Sequence, residues 1–312
     1  MKIRAVLDGK YYEEVPTVKV YAGVLATLRH VSRVITSLNV LLPVPSLQHL
    51  KRVKRSDGKI YVILDLAPET EETPPKRMRL EEEPIIAALR GKGFVPEEYE
   101  LVGVEVHDVP AAAPLTRAQY EKSAKYWPVN FHPVKKLEAL MSETIFDASE
   151  EEFHLSNMNR VAEEATAAGK NVALVVDFEN RLPIARGIDR VEAHPLQHAI
   201  MVAVDAVAST HEGGGAWDLP FGELALVKNR EPKKPDPSDE DGEEIGPYLC
   251  TGYDLYVYKE PCVMCAMSLV HSRVKRIFFR VLNPKRGALA SKCQIQSVRD
   301  LNHHYGVFHV GD

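Results

Sequence analysis

The sequence has few cysteines and no long apolar run. Four cysteines in 312 residues are too few for the disulfide framework of a secreted domain. No stretch approaches the ~18 consecutive apolar residues of a membrane span, and the opening MKIRAVLDGKYYEE lacks the apolar core of a secretory signal. We therefore expect a protein of a reducing compartment, the nucleus and/or the cytoplasm, with no membrane partner and with thiols available for metal binding or catalysis.

Acidic residues outnumber basic residues only slightly, and one segment accounts for most of the difference. The formal net charge is −5, yet residues 1–145 hold 21 basic and 19 acidic side chains. The segment Glu231–Glu244 alone holds seven acids and two lysines. Because it also lacks apolar periodicity, we interpret residues 229–246 as an acidic disordered insertion. The net charge therefore does not exclude a nucleic-acid partner.

The N-terminal third predicts an α+β domain of ferredoxin-like order. Apolar periodicity predicts six elements in the order strand, helix, strand, strand, helix, strand. These are Thr17–Gly23, Val24–Val40, Leu47–Val53, Ile60–Leu66, Glu81–Gly91 and Tyr99–Val106. Asp57-Gly58 predicts the hairpin turn between the second and third strands. The order is that of a ferredoxin-like domain, here assigned to residues 1–110.

The remainder predicts an α/β domain after a linker at residues 111–147. A long helix is expected over Ser149–Gly169, with Ser149 as its N-cap. Strands and helices then alternate through residues 148–312, at 171–178, 182–187, 195–208, 255–258, 262–271 and 274–279. Alternation of this kind predicts one sheet with helices on both faces, a three-layer sandwich.

One group of residues in the second domain forms a candidate metal-binding site. Cys262 and Cys265 stand one helical turn apart behind Pro261, and His198 stands near the start of an earlier helix. A C-x-x-C pair alone could also be a redox pair or two buried thiols. With a histidine in a sheet-and-helix pattern, two thiolates and one imidazole favour Zn²⁺.

The same spacing is that of H-x-E…P-C-x-x-C, the signature of zinc-dependent nucleobase deaminases. In that signature the glutamate carries the protons, but this chain has Ile200 at its position. An isoleucine cannot transfer a proton, and losing a general acid/base costs ~10²–10⁴ in rate. Glu192 lies before the helix and Asp205 nearly two turns beyond His198, so we do not expect either to substitute.

At these residues the chain resembles the non-catalytic subunit of the eukaryotic tRNA adenosine deaminase that makes inosine at the wobble position. The blocks WPVNFHP, HAIMVAVDAVA and LNHHYGVF carry the resemblance, together with Tyr248–Phe279. The resemblance implies a cytidine-deaminase-like domain and a heterodimer with a catalytic subunit that keeps the glutamate. It further implies a structural zinc, a pseudocatalytic role in converting adenosine 34 to inosine, and an N-terminal domain that helps to deliver tRNA.

Several ligands and contacts stay open at this stage. The fourth zinc ligand could be Cys250, Cys293, a water or the carboxylate at Asp312. Basic groups of the first domain are the candidates for phosphate contact. They are Arg29 and Arg33, predicted one turn apart on the first helix, then Lys51, Arg52, Lys54 and Arg55, and the cluster Lys76, Arg77 and Arg79. The last cluster could instead be a nuclear import signal.

Other prominent residues receive structural interpretations, and two other functions stay possible. We expect Trp127 and Phe131 to be packing anchors, and His303 and His304 to form hydrogen bonds rather than a second metal site. One alternative function is a free-standing zinc deaminase with a substitute acid. The other is a zinc-stabilised RNA-binding module without a catalytic partner, against which an exposed apolar face on the deaminase domain would count.

Overall fold

The computed structural model divides the chain into two units. The described residues are 1–68, 84–211, 217, 224–227 and 249–311. The N-terminal unit is Gly9–Glu138, and the C-terminal unit joins Met1–Asp8 to Ala139–Asp312. The predicted acidic insertion lies outside the described residues. No helix of the described part combines the length and the apolar character needed to cross a membrane.

The N-terminal unit is built on a four-stranded antiparallel sheet of order β3-β4-β2-β5. Its elements are β2 (Thr17–Leu25), α1 (Val31–Leu41), β3 (Val53–Ser56), β4 (Lys59–Leu66), α2 (Pro84–Gly91) and β5 (Leu101–Pro110). Asp57 and Gly58 both have positive φ, as the turn between β3 and β4 requires. Val34, Leu38 and Leu89 of the two helices pack with Val62 and Leu64 on one face. The predicted ferredoxin-like arrangement is confirmed.

The opposite face of this sheet is covered by the segment that follows it. Helix α3 (Arg117–Tyr126) and Trp127 lie over it, and Trp127 is fully buried with Val20 and Ile63. The Trp127 indole donates a hydrogen bond to the Lys51 carbonyl at 2.6 Å. Trp127 is thus a packing residue, as predicted, and is not available for stacking on a base.

Two predictions in this unit are wrong. The first helix begins at Val31, because Val24 and Leu25 continue the β2 ladder to β4 and β5. The predicted strand Leu47–Val53 is a 3₁₀ turn followed by irregular chain. The strand that pairs with β4 in this region is β3, and β3 starts only at Val53.

The C-terminal unit contains a six-stranded mixed sheet of order β1-β10-β9-β8-β6-β7. Its strands are β1 (Lys2–Ala5), β6 (Val172–Asp177), β7 (Leu182–Ile188), β8 (Asp254–Lys259), β9 (Arg276–Val281) and β10 (Gly306–Gly311). β1 pairs antiparallel with β10. The first eight residues therefore belong to this unit, which corrects the predicted domain at residues 1–110. The predicted linker at 111–147 contains α3 and a further helix, α4 (Lys135–Met141).

Helices cover both faces of this sheet, so the predicted three-layer sandwich is confirmed. They are α5 (Ala148–Ala168) on one face, and α6 (Ala199–Thr210) and α7 (Val263–His271) on the other. Side chains along β6 alternate accordingly, with Leu174 and Val176 packing toward α5 and Ala173 and Val175 toward α6.

Helix α5 begins two residues earlier than its predicted cap implies. The N-cap is Asp147, whose carboxylate accepts the Glu150 N–H at 2.8 Å while the Glu150 side chain accepts the Asp147 N–H. This is a capping box, and Ser149 lies inside the helix. The predicted stop is confirmed, because Gly169 has the left-handed conformation that ends the helix.

Candidate metal centre

The sheet topology brings the starts of two helices to one place. β7 and β8 are both antiparallel to β6, so they run in the same direction. Their carboxyl ends therefore meet at one edge of the sheet, where α6 and α7 begin. His198 is the N-cap of α6 and Cys262 is the N-cap of α7. The positive ends of both helices point at this edge and favour bound anions such as thiolates.

Helix α6 lies unusually close to β7, and Gly187 permits that approach. A Cβ atom on Gly187 would stand 2.1 Å from the Ala199 carbonyl oxygen and 2.5 Å from the Ala203 nitrogen. The first turn of α6 is also held by Asp189, whose Oδ1 accepts the Ala199 N–H at 2.7 Å. His198 makes no capping hydrogen bond of its own. Its imidazole is thus left to face the cysteines.

The three predicted ligands come together at this edge. One ligand atom each from His198, Cys262 and Cys265 lies within 4.8 Å of the other two. The distance from Cys262 Sγ to His198 Nδ1 is 3.7 Å. Tetrahedral zinc with Zn–S of about 2.3 Å and Zn–N of about 2.1 Å would place sulfur and nitrogen about 3.6 Å apart. The donor set and its spacing therefore fit zinc.

A hydrogen bond between the two thiols shifts their pKa values in opposite directions. A hydrogen bond from Cys265, backbone donors in the first turn of α7 and the nearby His198 together lower the pKa of Cys262 to about 5. The same hydrogen bond and burial raise the pKa of Cys265. Cys262 is therefore the first to ionise. Metal binding to both sulfurs would release the remaining proton from Cys265.

The position that holds the glutamate in the deaminase signature lies in the apolar core of this protein. Ile200 is 2% exposed and packs in the core between the sheet and helices α6 and α7. Neither acid considered as a substitute lies within the metal group. The Glu192 side chain is 69% exposed and pairs with Lys170 at 3.0 Å. Asp205 lies seven residues after His198 on α6. A zinc ion here could act as a Lewis acid, but an isoleucine stands at the position that carries the proton in the deaminase signature.

No fourth protein ligand joins the group among the described residues. Cys250 is fully buried in the apolar core, and burial raises its pKa to about 12. Cys293 is exposed, with its sulfur directed to the Ala288 carbonyl. Both cysteines lie outside the cluster formed by the other three ligands. The candidate at Asp312 falls outside the described residues.

One buried carboxylate beside the centre was missed by the sequence reasoning. Glu260 precedes Pro261-Cys262 and is 2% exposed. Burial raises its pKa, but hydrogen bonds from Ser291 and from the backbone of Asn283, Ala290 and Ser291 outweigh this and lower it. No spacing in the sequence pairs Glu260 with a loop more than twenty residues away. Only the fold brings them together.

Eight of the nine predicted RNA contacts fall into three groups. Arg29, Arg33, Lys51 and Arg55 are exposed, and within the described chain none of them forms an ion pair. Lys54 is half-buried, donates to the Tyr126 carbonyl at 2.7 Å and lies over the Trp127 ring. Lys76, Arg77 and Arg79 lie outside the described residues. Arg29 stands in the turn before α1 rather than on the helix, since α1 begins at Val31.

Arg52 serves the fold rather than a ligand. Its guanidinium donates to the Asn39 side chain at 2.8 Å and to the Leu42 and Ile63 carbonyls at 2.7 and 3.1 Å. These bonds tie the end of α1 to β4. We therefore withdraw Arg52 from the phosphate-contact candidates.

The histidines of the final block make hydrogen bonds, as predicted. His303 Nε2 is 2.7 Å from the Val274 carbonyl oxygen, and His304 Nδ1 is 3.0 Å from that of Gln296. Tyr305 donates to the Ala266 carbonyl at 3.1 Å. This block therefore braces α7, which carries Cys265, and adds no metal ligand.

The fold and the metal-ligand cluster define a protein of the cytidine and deoxycytidylate deaminase class. The zinc-binding region of that class matches residues 148–281, and the N-terminal domain of the tRNA-specific adenosine deaminase TAD3 matches residues 18–127. The "Probable inactive tRNA-specific adenosine deaminase-like protein 3" of Danio rerio is 33% identical over 98% of this chain and 90% of its own length. The human protein of the same name is 36% identical over 97% of this chain and 87% of its own length. The chain belongs to this TAD3 family.

A more distant relative belongs to the same group. The "tRNA-specific adenosine deaminase subunit TAD3" of Saccharomyces cerevisiae is 27% identical over 78% of this chain and 67% of its own length. One solved structure, described as "Biochemical and Structural Studies of A-to-I Editing by tRNA:A34 Deaminases at the Wobble Position of Transfer RNA", covers 50% of this chain at 22% identity with a TM-score of 0.33.

Proposed function

We propose that this chain is the pseudocatalytic, zinc-binding subunit of a heterodimeric tRNA adenosine deaminase that makes inosine at wobble position 34. The observation that carries the proposal is Ile200, buried two residues after the metal ligand His198. The ligand set is kept while the proton carrier is absent. Relatives carry the words "inactive" and "subunit" in their names, which supports a role beside a catalytic chain. Residence in the nucleus and/or the cytoplasm stays a prediction.

The partner proposal is supported by apolar side chains beside the ligands. Val263, between the two cysteines, is 52% exposed, and Leu196, two residues before His198, is 47% exposed. Exposed apolar groups that lie together can mark a protein–protein contact, because the cores of such contacts are poor in charged residues. They therefore favour a subunit over a free-standing RNA-binding module.

The zinc proposal is tested by metal analysis of the purified full-length chain. We expect about one zinc per chain in the wild type and loss of that zinc in Cys265→Ser, because zinc needs the soft thiolate. Cys293→Ser is the matched control, since this exposed cysteine lies outside the cluster, and it should retain the metal. Equal zinc in both variants would refute the assigned ligand set.

The tRNA proposal is tested by salt-dependent binding of a tRNA transcript. Arg33 and Arg55 are exposed and free of ion pairs within the described residues. If each contacts a phosphate, Arg33→Ala or Arg55→Ala should weaken binding and reduce the salt slope by about 1. Lys122, which pairs with Glu14, is the control, and Lys122→Ala should bind as the wild type does. Unchanged slopes in both arginine variants would remove these two residues from the interface.

A further inference from the structure

Glu260 is a buried carboxylate at the turn that leads into the metal-bearing helix. It accepts five hydrogen bonds, all from the loop Asn283–Ser291. Four donors are backbone N–H groups, of Asn283, Leu289, Ala290 and Ser291, at distances of 2.7–3.1 Å. The fifth is the Ser291 hydroxyl. One side chain thus fixes a nine-residue loop.

The same loop is bonded to the chain segment that carries the metal ligand. The Ala288 N–H donates to the Pro261 carbonyl at 2.8 Å, and Cys262 and Gly287 form an isolated β-bridge. Gly287 lies against the carboxylate so closely that a Cβ atom there would stand 2.1 Å from Glu260 Oε2. Carboxylate, loop and Cys262 therefore form one packed assembly.

We propose that Glu260 is a positioning residue of the metal centre. By clamping the Asn283–Ser291 loop onto the Pro261–Cys262 turn, its carboxylate holds the Cys262 sulfur at its 3.7 Å distance from His198. Groups behind the ligands of a metal site orient those ligands, and their loss lowers metal affinity by ~10–100-fold. The inference rests on the zinc site proposed above and names the residue that keeps its geometry.

The test compares metal binding by the full-length wild type with binding by Glu260→Gln. The glutamine is close in size, but its amide group would turn a donor toward the N–H groups of the loop. Zn²⁺ affinity is measured by competition with a chelator, and Co²⁺ is added to the metal-free protein to record the thiolate absorption bands. We expect a ~10–100-fold lower zinc affinity and altered cobalt bands. Ser291→Ala removes one of the five donors and should lower the affinity less, in the same direction.

A second buried carboxylate separates positioning from general destabilisation. Asp254 is fully buried and pairs with Arg276 through both oxygens, at 2.7 and 2.6 Å. Asp254→Asn should lower the melting temperature yet leave zinc affinity and cobalt bands unchanged. Wild-type affinity and bands in Glu260→Gln, or equal losses in Asp254→Asn, would overturn the inference alone. A wild-type chain that binds no metal would overturn the proposed zinc site as well.

Discussion

Acid should destabilise the C-terminal unit through one histidine on α5. His154 is fully buried in an aromatic cluster, with ring centroids 4.3 Å from Phe278 and 5.2 Å from Phe178. Its Nδ1 lies 2.7 Å from the Tyr256 hydroxyl. Burial, reinforced by the positive charges of Arg276 and Arg181, lowers its pKa to about 3. The histidine is therefore neutral in the folded protein throughout the physiological range.

The sign and size of the effect follow from the two pKa values. The unfolded chain protonates His154 near pH 6.5, whereas the folded unit does so only near pH 3. Between these values the unfolded state holds more protons, so the free energy of unfolding falls as the pH is lowered. The stability that depends on neutral His154 is fully present above pH 6.5 and is lost progressively as the pH falls to about 3. Between pH 7 and pH 5 the expected loss is about 2 kcal/mol.

The assay is urea unfolding at pH 7 and pH 5, read by alkylation of Cys250. That thiol is fully buried in the same unit, so its labelling reports unfolding of this unit. His154→Gln removes the titration and is the control, because all other groups titrate alike in both proteins. The wild type should lose about 2 kcal/mol more than the variant between the two pH values. Equal losses would refute the argument from His154.

Four further substitutions test three separate features by denaturation, and one of them also by inosine formation. Arg276→Ala should cost about 3–5 kcal/mol, because it leaves the Asp254 carboxylate buried without its partner; a cost below about 1 kcal/mol would contradict this. Asp147→Ala should cost about 1 kcal/mol as a lost N-cap, whereas Ser149→Ala should cost almost nothing; the reverse order would restore the sequence-based cap. Ile200→Glu should lower the melting temperature and yield no inosine from the isolated chain, since a carboxylate replaces a core side chain; inosine formation would show that the glutamate alone was missing.

The parts of the fold that were predicted rest on local patterns. The three candidate metal ligands were predicted, and the structure brings them together, because the C-x-x-C spacing and the start of a helix are local features of a few adjacent residues. The ferredoxin-like order followed from alternating apolar residues and the Asp57-Gly58 turn, which the structure contains with positive φ at both positions. Local patterns of this kind predict the same helix or strand in any fold that buries the same face of that element.

The parts that were missed depend on contacts between distant residues. Strand β1 pairs with β10, so that Lys2 lies opposite Gly311. No local sequence pattern predicts this pairing. Leu25 fits the periodicity of a helix, yet tertiary hydrogen bonds to β4 and β5 keep it in a strand. The local sequence does not distinguish Glu260 from other charged residues, because the five donors of its hydrogen bonds lie 23 to 31 residues further along the chain.

The central claim is most directly tested by inosine formation at the wobble position of a full-length tRNA transcript. The purified chain is assayed alone, the catalytic subunit that keeps the H-x-E glutamate is assayed alone, and the two are assayed together, with zinc measured on the same samples. We expect a zinc-containing chain that makes no inosine by itself and is required for turnover by the pair. Inosine from this chain alone, or full turnover by the catalytic subunit alone, would contradict this expectation.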